Sequence, residues 1–81
     1  MTRLGDFFEK KSIKKADVSR KTGISPSRMS ELTNNESTRL TVDELYLIAL
    51  AIDLDPSIII KNICNHLRLL NEVSNSQILK G

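Results

Sequence analysis

The segment 15–32 restricts the fold more than any other part of the chain, because its pattern predicts two short helices that meet at a sharp corner. Gly23 stands where the first helix would end in a left-handed residue, a conformation that glycine adopts without steric penalty. Ser25 and Pro26 then start the second helix, the serine as its cap and the proline at its first position. The residues that would seat one helix on the other are small or apolar: Val18, Ser19, Ile24, Met29 and Leu32. This pattern predicts a helix-turn-helix over 15–33.

The remaining sequence is also helical in its periodicity, and only two prolines occur in 81 residues. Thr41 and Glu44 predict a capping box at the start of helix four, and the apolar run 45–52 that follows predicts a helix surrounded by others, with Val42 in its buried stripe. The predicted helices cover about 4–11, 15–22, 26–33, 41–52 and a fifth from Pro56 whose apolar spacing extends through Leu67 and Leu70. We therefore predict an all-α bundle of five short helices, with one domain over 1–72 and a frayed tail over 73–81.

Basic side chains are concentrated in the first half of the chain. Residues 1–39 carry nine Lys or Arg and five Asp or Glu, whereas residues 40–81 carry three and five. The segment 10–28 alone holds seven basic residues and one acidic residue, Asp17. A surface of this kind favours a polyanionic partner, although an ordinary solvated helical surface has the same charge pattern.

Composition disfavours several other classes of function. Three aromatic residues are too few for a platform that stacks single-stranded bases. Cys64 is the single cysteine, so it forms no internal disulfide, and together with His66 it lacks the further ligands that a metal site needs. No nucleophile–base or carboxylate pair indicates an enzyme. With no signal peptide or membrane span in the sequence, we expect a cytoplasmic protein without cofactor or metal.

Two stretches, IKKADVSRKTGISPSRMSELTNNES and LTVDELYLIALAIDLDPSIII, resemble the Cro and lambda-repressor-like helix-turn-helix family, also called the XRE family. The resemblance covers about residues 3–62. It implies a lambda-repressor-like fold and sequence-specific binding of double-stranded DNA, with the third helix in the major groove. In that family the start of the second helix and the loop after the third contact the DNA backbone.

The resemblance also assigns DNA contacts to individual residues. Lys15, with Lys14 beside it, takes the place of a phosphate contact, and Arg28 is suited to bidentate contact with guanine. Pro26 replaces a base-reading Gln of many family members, and Asn35 replaces a Gly whose left-handed backbone we expect Asn to tolerate. The predicted DNA contacts are Lys14, Lys15, Ser25, Pro26, Ser27, Arg28, Ser30, Glu31, Asn34 and Arg39.

The run Ile58, Ile59 and Ile60 cannot be buried entirely in one small core, so it predicts either one exposed isoleucine or a dimer contact on helix five. A single helix-turn-helix offers few base contacts, which favours a homodimer. The predicted function is a homodimeric transcription regulator that acts as a repressor. Two alternatives stay open: a DNA-binding antitoxin with a toxin as partner, and a protein-interaction module that reuses the fold.

Overall fold

A computed structural model describes residues 1–70 of the chain as five α-helices and the segments that join them. The helices are α1 (Arg3–Lys10), α2 (Lys15–Thr22), α3 (Pro26–Asn34), α4 (Val42–Ile52) and α5 (Pro56–Cys64). No strand occurs in this part of the chain, and the predicted all-α fold is confirmed. The predicted tail over 73–81 lies outside the described residues.

The helix boundaries follow the end signals in the sequence. At the start of α4, the Glu44 amide donates to Thr41 Oγ1 at 3.1 Å, and the Thr41 amide donates to Glu44 Oε1 at 3.0 Å. This reciprocal pair is the predicted capping box. Gly23 ends α2 with φ 83°, in the left-handed region as predicted, and Asp53 ends α4 in the same region with φ 61°.

The helices pack as a closed ring around one core. α1 packs against α3, α3 against α2, α2 against α4, α4 against α5, and α5 again against α1. The side chains buried inside this ring come from all five helices: Leu4, Phe7, Phe8, Val18, Met29, Leu32, Ile48, Ala49 and Ile59. The core therefore fixes the orientation of α3 through its two neighbours, α1 and α2.

Two predictions about the apolar helices are wrong. α4 is not surrounded, because it packs chiefly against α2 and α5, and Val42 is 79% exposed. The ring is one helix thick, so each helix keeps an outer face. α5 ends at Cys64 and does not extend through Leu67 and Leu70, which are 61% and 100% exposed. A longer helix would have no packed face there to stabilise it.

The backbone also departs from expectation at two turns. The sequence predicts a left-handed conformation for Asn35, but its φ of −102° and ψ of 111° are extended. Ser12 lies in the predicted break between the first two helices, but its left-handed φ of 58° is not expected for a serine. It reverses the chain between α1 and α2, where the Ile13 amide donates to the Phe8 carbonyl at 2.8 Å.

The start of α1 is fastened to the end of α3 by a close approach of the two backbones. The Thr2 amide donates to the Thr33 carbonyl at 2.9 Å, and Thr2 Oγ1 donates to the Leu32 carbonyl at 2.7 Å. Gly5 makes room for this contact, since a Cβ atom there would lie 2.2 Å from the Thr33 carbonyl oxygen. The side chain of Thr33 is itself buried and donates to the Met29 carbonyl at 3.0 Å.

We predict that Gly5→Ala lowers the free energy of unfolding by about 1–3 kcal/mol, because the added methyl group meets a backbone carbonyl that cannot move independently. Intrinsic helix propensity by itself would raise the free energy of unfolding, because Ala is favoured over Gly by about 1 kcal/mol inside a helix. Urea titration measures the difference, with Glu9→Ala at an exposed position of α1 as control. A stabilised Gly5→Ala protein would contradict the close approach.

Candidate nucleic-acid interface

The corner between α2 and α3 is held by side-chain hydrogen bonds as well as by packing. The hydroxyl of the buried Ser19 donates to the Ile24 carbonyl. Thr22 Oγ1 donates to the Val18 carbonyl at 2.7 Å and accepts from the Ile24 amide at 3.1 Å. These bonds and the left-handed Gly23 define the angle between the two helices of the motif.

α3 has one buried side and one polar side. Met29, Leu32 and Thr33 are buried against the neighbouring helices. Four of the predicted DNA contacts are exposed on the other side: Ser27, Ser30, Glu31 and Asn34. Among them, the Asn34 amide group donates to Ser30 Oγ at 3.3 Å. These side chains carry hydrogen-bond donors and acceptors that suit the base edges of a major groove.

The start of α3 is organised by its cap. Ser25 Oγ accepts from the Arg28 amide at 3.1 Å and lies 3.4 Å from Ser27 Oγ, while Pro26 occupies the first turn. Proline removes one unpaired amide, and the serine satisfies another. The predicted recognition helix therefore begins where the sequence places it.

The start of α2 differs from the start of every other described helix. Thr2, Ser25, Thr41 and Asp55 each accept a hydrogen bond that caps their helix, whereas Lys14 makes no side-chain cap. The Asp17 amide donates to the Lys14 carbonyl at 3.1 Å, so the amides of Lys15 and Ala16 are the ones that keep their partial positive charge beside the exposed side chains of Lys14 and Lys15. The same turn carries one acidic residue, Asp17. Such a helix end favours an anion.

The start of α2 and the polar side of α3 lie on one face of the protein, where residues of both helices line two surface crevices. Lys15, Pro26 and Ser30 line a crevice between α2 and α3. A neighbouring crevice is lined by Lys14, Lys15 and Asn34. The predicted phosphate contacts and part of the predicted base-facing set are thus adjacent in space.

A family model of the Cro/C1-type HTH DNA-binding domain matches residues 3–65, which include all five helices. The chain belongs to this family. Comparisons with curated proteins and with solved structures gave no significant match. Membership of the family confirms the resemblance that the two sequence stretches indicate. This Cro/C1-type domain is therefore a DNA-binding domain of the transcription-regulator class, and its partner is double-stranded DNA.

Arg28 has a different environment in the structure from the one predicted. Its Nε donates to Glu44 Oε2 at 2.7 Å, and its Nη2 donates to Glu44 Oε1 at 3.0 Å and to the Arg39 carbonyl at 2.9 Å. Its side chain is 33% exposed and that of Glu44 only 17%. The expectation of a guanidinium free to face the groove is corrected: in this structure it lies against the start of α4.

Sequence reasoning missed Glu44 as a partner of Arg28. The two residues are 16 positions apart, and no local pattern relates them. The capping box is by itself a sufficient reason for a glutamate at position 44. Only the path of loop 35–41 brings its carboxylate to the guanidinium.

The predicted dimer contact also needs correction. Ile59 is fully buried, so it belongs to the core and cannot contact a partner, whereas Ile58 and Ile60 are 38% and 43% exposed. Consecutive residues of a helix point about 100° apart, and only one of the three can face the ring. The prediction that the core cannot hold all three isoleucines is confirmed.

Residues 1–70 contain no group of three His, Cys, Asp or Glu side chains arranged to hold a metal ion. Cys64 is half-buried at the end of α5, and His66 is exposed beyond it. Within the same residues, every helix is too short or too polar to cross a bilayer.

The contact with Arg28 changes the acidity of Glu44. Hydrogen bonding from Arg28 lowers the pKa of the Glu44 carboxyl from 4.5 to about 2, and the bond from the Thr41 amide acts in the same direction. Partial burial opposes the shift, because it disfavours the charged form. The carboxylate is therefore charged in the folded protein well below the pH at which it is protonated in the unfolded chain.

We predict that Glu44→Gln lowers the free energy of unfolding by about 1–2 kcal/mol at pH 7, since it removes the charged acceptor of the two hydrogen bonds from Arg28. The depressed pKa means that this stabilisation is present above pH 4.5 and is lost as the pH falls from 4.5 toward 2. Urea titrations of both proteins between pH 7 and pH 3 measure the effect. The difference between them should shrink below pH 4.5, and a difference that stayed constant would contradict the assigned ion pair.

Proposed function

We propose that this Cro/C1-type domain binds a specific double-stranded DNA sequence as a homodimer and represses transcription, with α3 in the major groove. The observation that carries the proposal is the single face on which the polar side of α3 adjoins the uncapped, cationic start of α2. In this arrangement Ser27, Ser30 and Glu31 approach base edges. Their short or hydrogen-bonding side chains let the backbone of α3 come close to the groove floor.

The DNA backbone contacts surround this reading helix. Lys14 and Lys15 place two ammonium groups and the first amides of α2 against one phosphate. Asn34, at the end of α3 and on the crevice that Lys14 and Lys15 also line, and Arg39, exposed on the following loop, contact the DNA backbone as well. Ser25 and Pro26 sit at the entry of α3 into the groove. The protein would act in the cytoplasm, associated with the nucleoid when bound to DNA.

The proposal is tested first with the wild-type chain and duplex DNA. A duplex selected from random-sequence DNA should bind more tightly than a scrambled duplex, and both affinities should fall by orders of magnitude between about 50 and 200 mM salt. A protein-interaction module would bind neither duplex appreciably at any salt concentration. That result would support the alternative of a protein partner.

We predict that Lys15→Ala weakens binding to selected and scrambled duplexes by similar factors. It should reduce the slope of log affinity against log salt by about 0.9 for each phosphate that the variant no longer neutralises. Lys21→Ala is the matched control, because Lys21 lies on the same helix but in its last turn. The measurement is a set of binding isotherms at three or more salt concentrations. An altered base preference with an unchanged salt slope would contradict the phosphate role of Lys15.

The dimer contact that we propose lies on the outer face of α4. Tyr46, Leu47 and Leu50 share one side of this helix at spacings of three and four residues, and they are 55%, 39% and 61% exposed. A second copy of the chain is the occupant that the function requires, because two half-sites about 34 Å apart need two recognition helices. This assignment replaces the one based on Ile58, Ile59 and Ile60.

We predict that Leu50→Lys shifts the chain toward monomer and weakens binding to a two-half-site duplex, because the exposed leucine would be buried at the contact. Sedimentation equilibrium measures the first effect, and Ile58→Lys on α5 is the comparison. If only Ile58→Lys dissociates the dimer, the contact lies on α5. If the wild type binds a single half-site at 1:1 stoichiometry, the homodimer itself is ruled out.

A further inference from the structure

The guanidinium of Arg28 has free donors on only one of its three nitrogens. An arginine has five N–H donors, one on Nε and two on each terminal nitrogen. Glu44 takes the Nε donor and one donor of Nη2, and the Arg39 carbonyl takes the other donor of Nη2. The planar contact that uses two guanidinium nitrogens at once is therefore blocked while Arg28 is bonded to Glu44. Only Nη1 retains its two donors, and it lies 3.9 Å from Glu31 Oε1.

Glu44 is committed just as fully. Its Oε1 accepts from both Arg28 and the Thr41 amide, and its Oε2 accepts the shortest of these bonds, from Arg28 Nε at 2.7 Å. Bidentate contacts between arginine and carboxylate are among the strongest hydrogen-bonded pairs in proteins. The low pKa of the Glu44 carboxyl is consistent with this strength.

The Arg28 contacts join two elements that otherwise have little connection. α3 packs chiefly against α1 and α2, and the ring of principal helix contacts contains no pair of α3 with α4. Loop 35–41 makes local hydrogen bonds, such as that from the Thr38 amide to the Asn35 carbonyl at 3.0 Å, and Leu40 packs against the core. The Asn35 amide closes the last turn of α3; beyond it, the only hydrogen bond of the loop to a helix other than α4 within residues 1–70 is the one from Arg28 to the Arg39 carbonyl.

We infer that Arg28 is a positioning residue that fixes loop 35–41 and the start of α4 relative to the recognition helix. The inference rests on the proposed function and deepens it. Arg28 stays bonded to Glu44 when DNA is bound and holds Arg39 at the distance from α3 that a backbone contact needs. Base reading then falls to the exposed side chains of α3 that precede Asn34: Ser27, Ser30 and Glu31.

Glu44→Gln distinguishes two roles for Arg28, base reading and positioning. The two roles predict changes of DNA affinity in opposite directions. A base-reading Arg28 would be released by this change, and the loss of a negative charge near DNA would add to the gain in affinity. A positioning Arg28 loses its anchor, so affinity falls although a negative charge has been removed. Asp43→Asn is the matched control, since Asp43 is the exposed neighbouring carboxylate in the first turn of α4. Glutamine at 44 can still accept from the Thr41 amide, which preserves the helix cap.

The experiment measures affinity for a duplex selected by the wild type and for its scrambled counterpart, with circular dichroism to verify that each variant folds. We expect Glu44→Gln to bind both duplexes more weakly than Asp43→Asn, by about threefold or more. Arg28→Ala should weaken both duplexes and leave base preference unchanged. The double variant should bind no more weakly than Arg28→Ala, because the two residues act through one contact.

Arg28→Lys tests whether Arg28 acts through the geometry of its hydrogen bonds or only through its positive charge. Lysine keeps the positive charge but cannot bond both carboxylate oxygens and the Arg39 carbonyl in the same planar geometry. We expect it to bind as weakly as Glu44→Gln, whereas recovery of wild-type affinity would overturn the inference. The inference would also be overturned if Glu44→Gln bound as tightly as Asp43→Asn, or if Arg28→Ala relaxed preference at one base position. Absence of salt-dependent binding by the wild type would instead contradict the proposed function, and the inference with it.

Discussion

The burial of one side of α3 is the constraint on which the rest of the structure depends. Met29, Leu32 and Thr33 hold that side against α1 and α2, and this leaves the opposite side polar and accessible. In a chain of this size a single core supplies most of the stability, so the helix that we propose to contact DNA must also contribute to that core. The close approach at Gly5 shows how little space remains between α1 and the end of α3.

The start of α2 differs from the starts of the other described helices, and this difference affects both helix stability and the proposed DNA binding. Four of the described helices begin with a side chain that satisfies their first amides, and α2 does not. An uncapped start costs some helix stability in the free protein. At α2 those amides lie beside Lys14 and Lys15, where a phosphate can take the place of the missing cap. Local stability and the proposed DNA contact therefore compete at this one position.

The contact between Arg28 and Glu44 makes the path of the chain after α3 part of the proposed DNA-binding surface. α3 is oriented by its packing, whereas loop 35–41 packs against the core through Leu40 and is otherwise held by polar contacts. A charged pair that is largely shielded from solvent supplies a directional constraint that apolar packing does not. Its cost is that the one arginine on α3 has free donors on Nη1 alone.

The sequence by itself determined the helices, most of their ends and the corner at Gly23, because caps and helical periodicity depend on residues a few positions apart. It also identified the residues that α3 exposes, since those follow from which residues α3 buries. Only the tertiary structure decided that α4 keeps an apolar outer face and that Ile59 alone of its run is buried, because these depend on which helices pack together. The partner of Arg28 was decided there as well, since a pair 16 residues apart forms only when the whole ring closes.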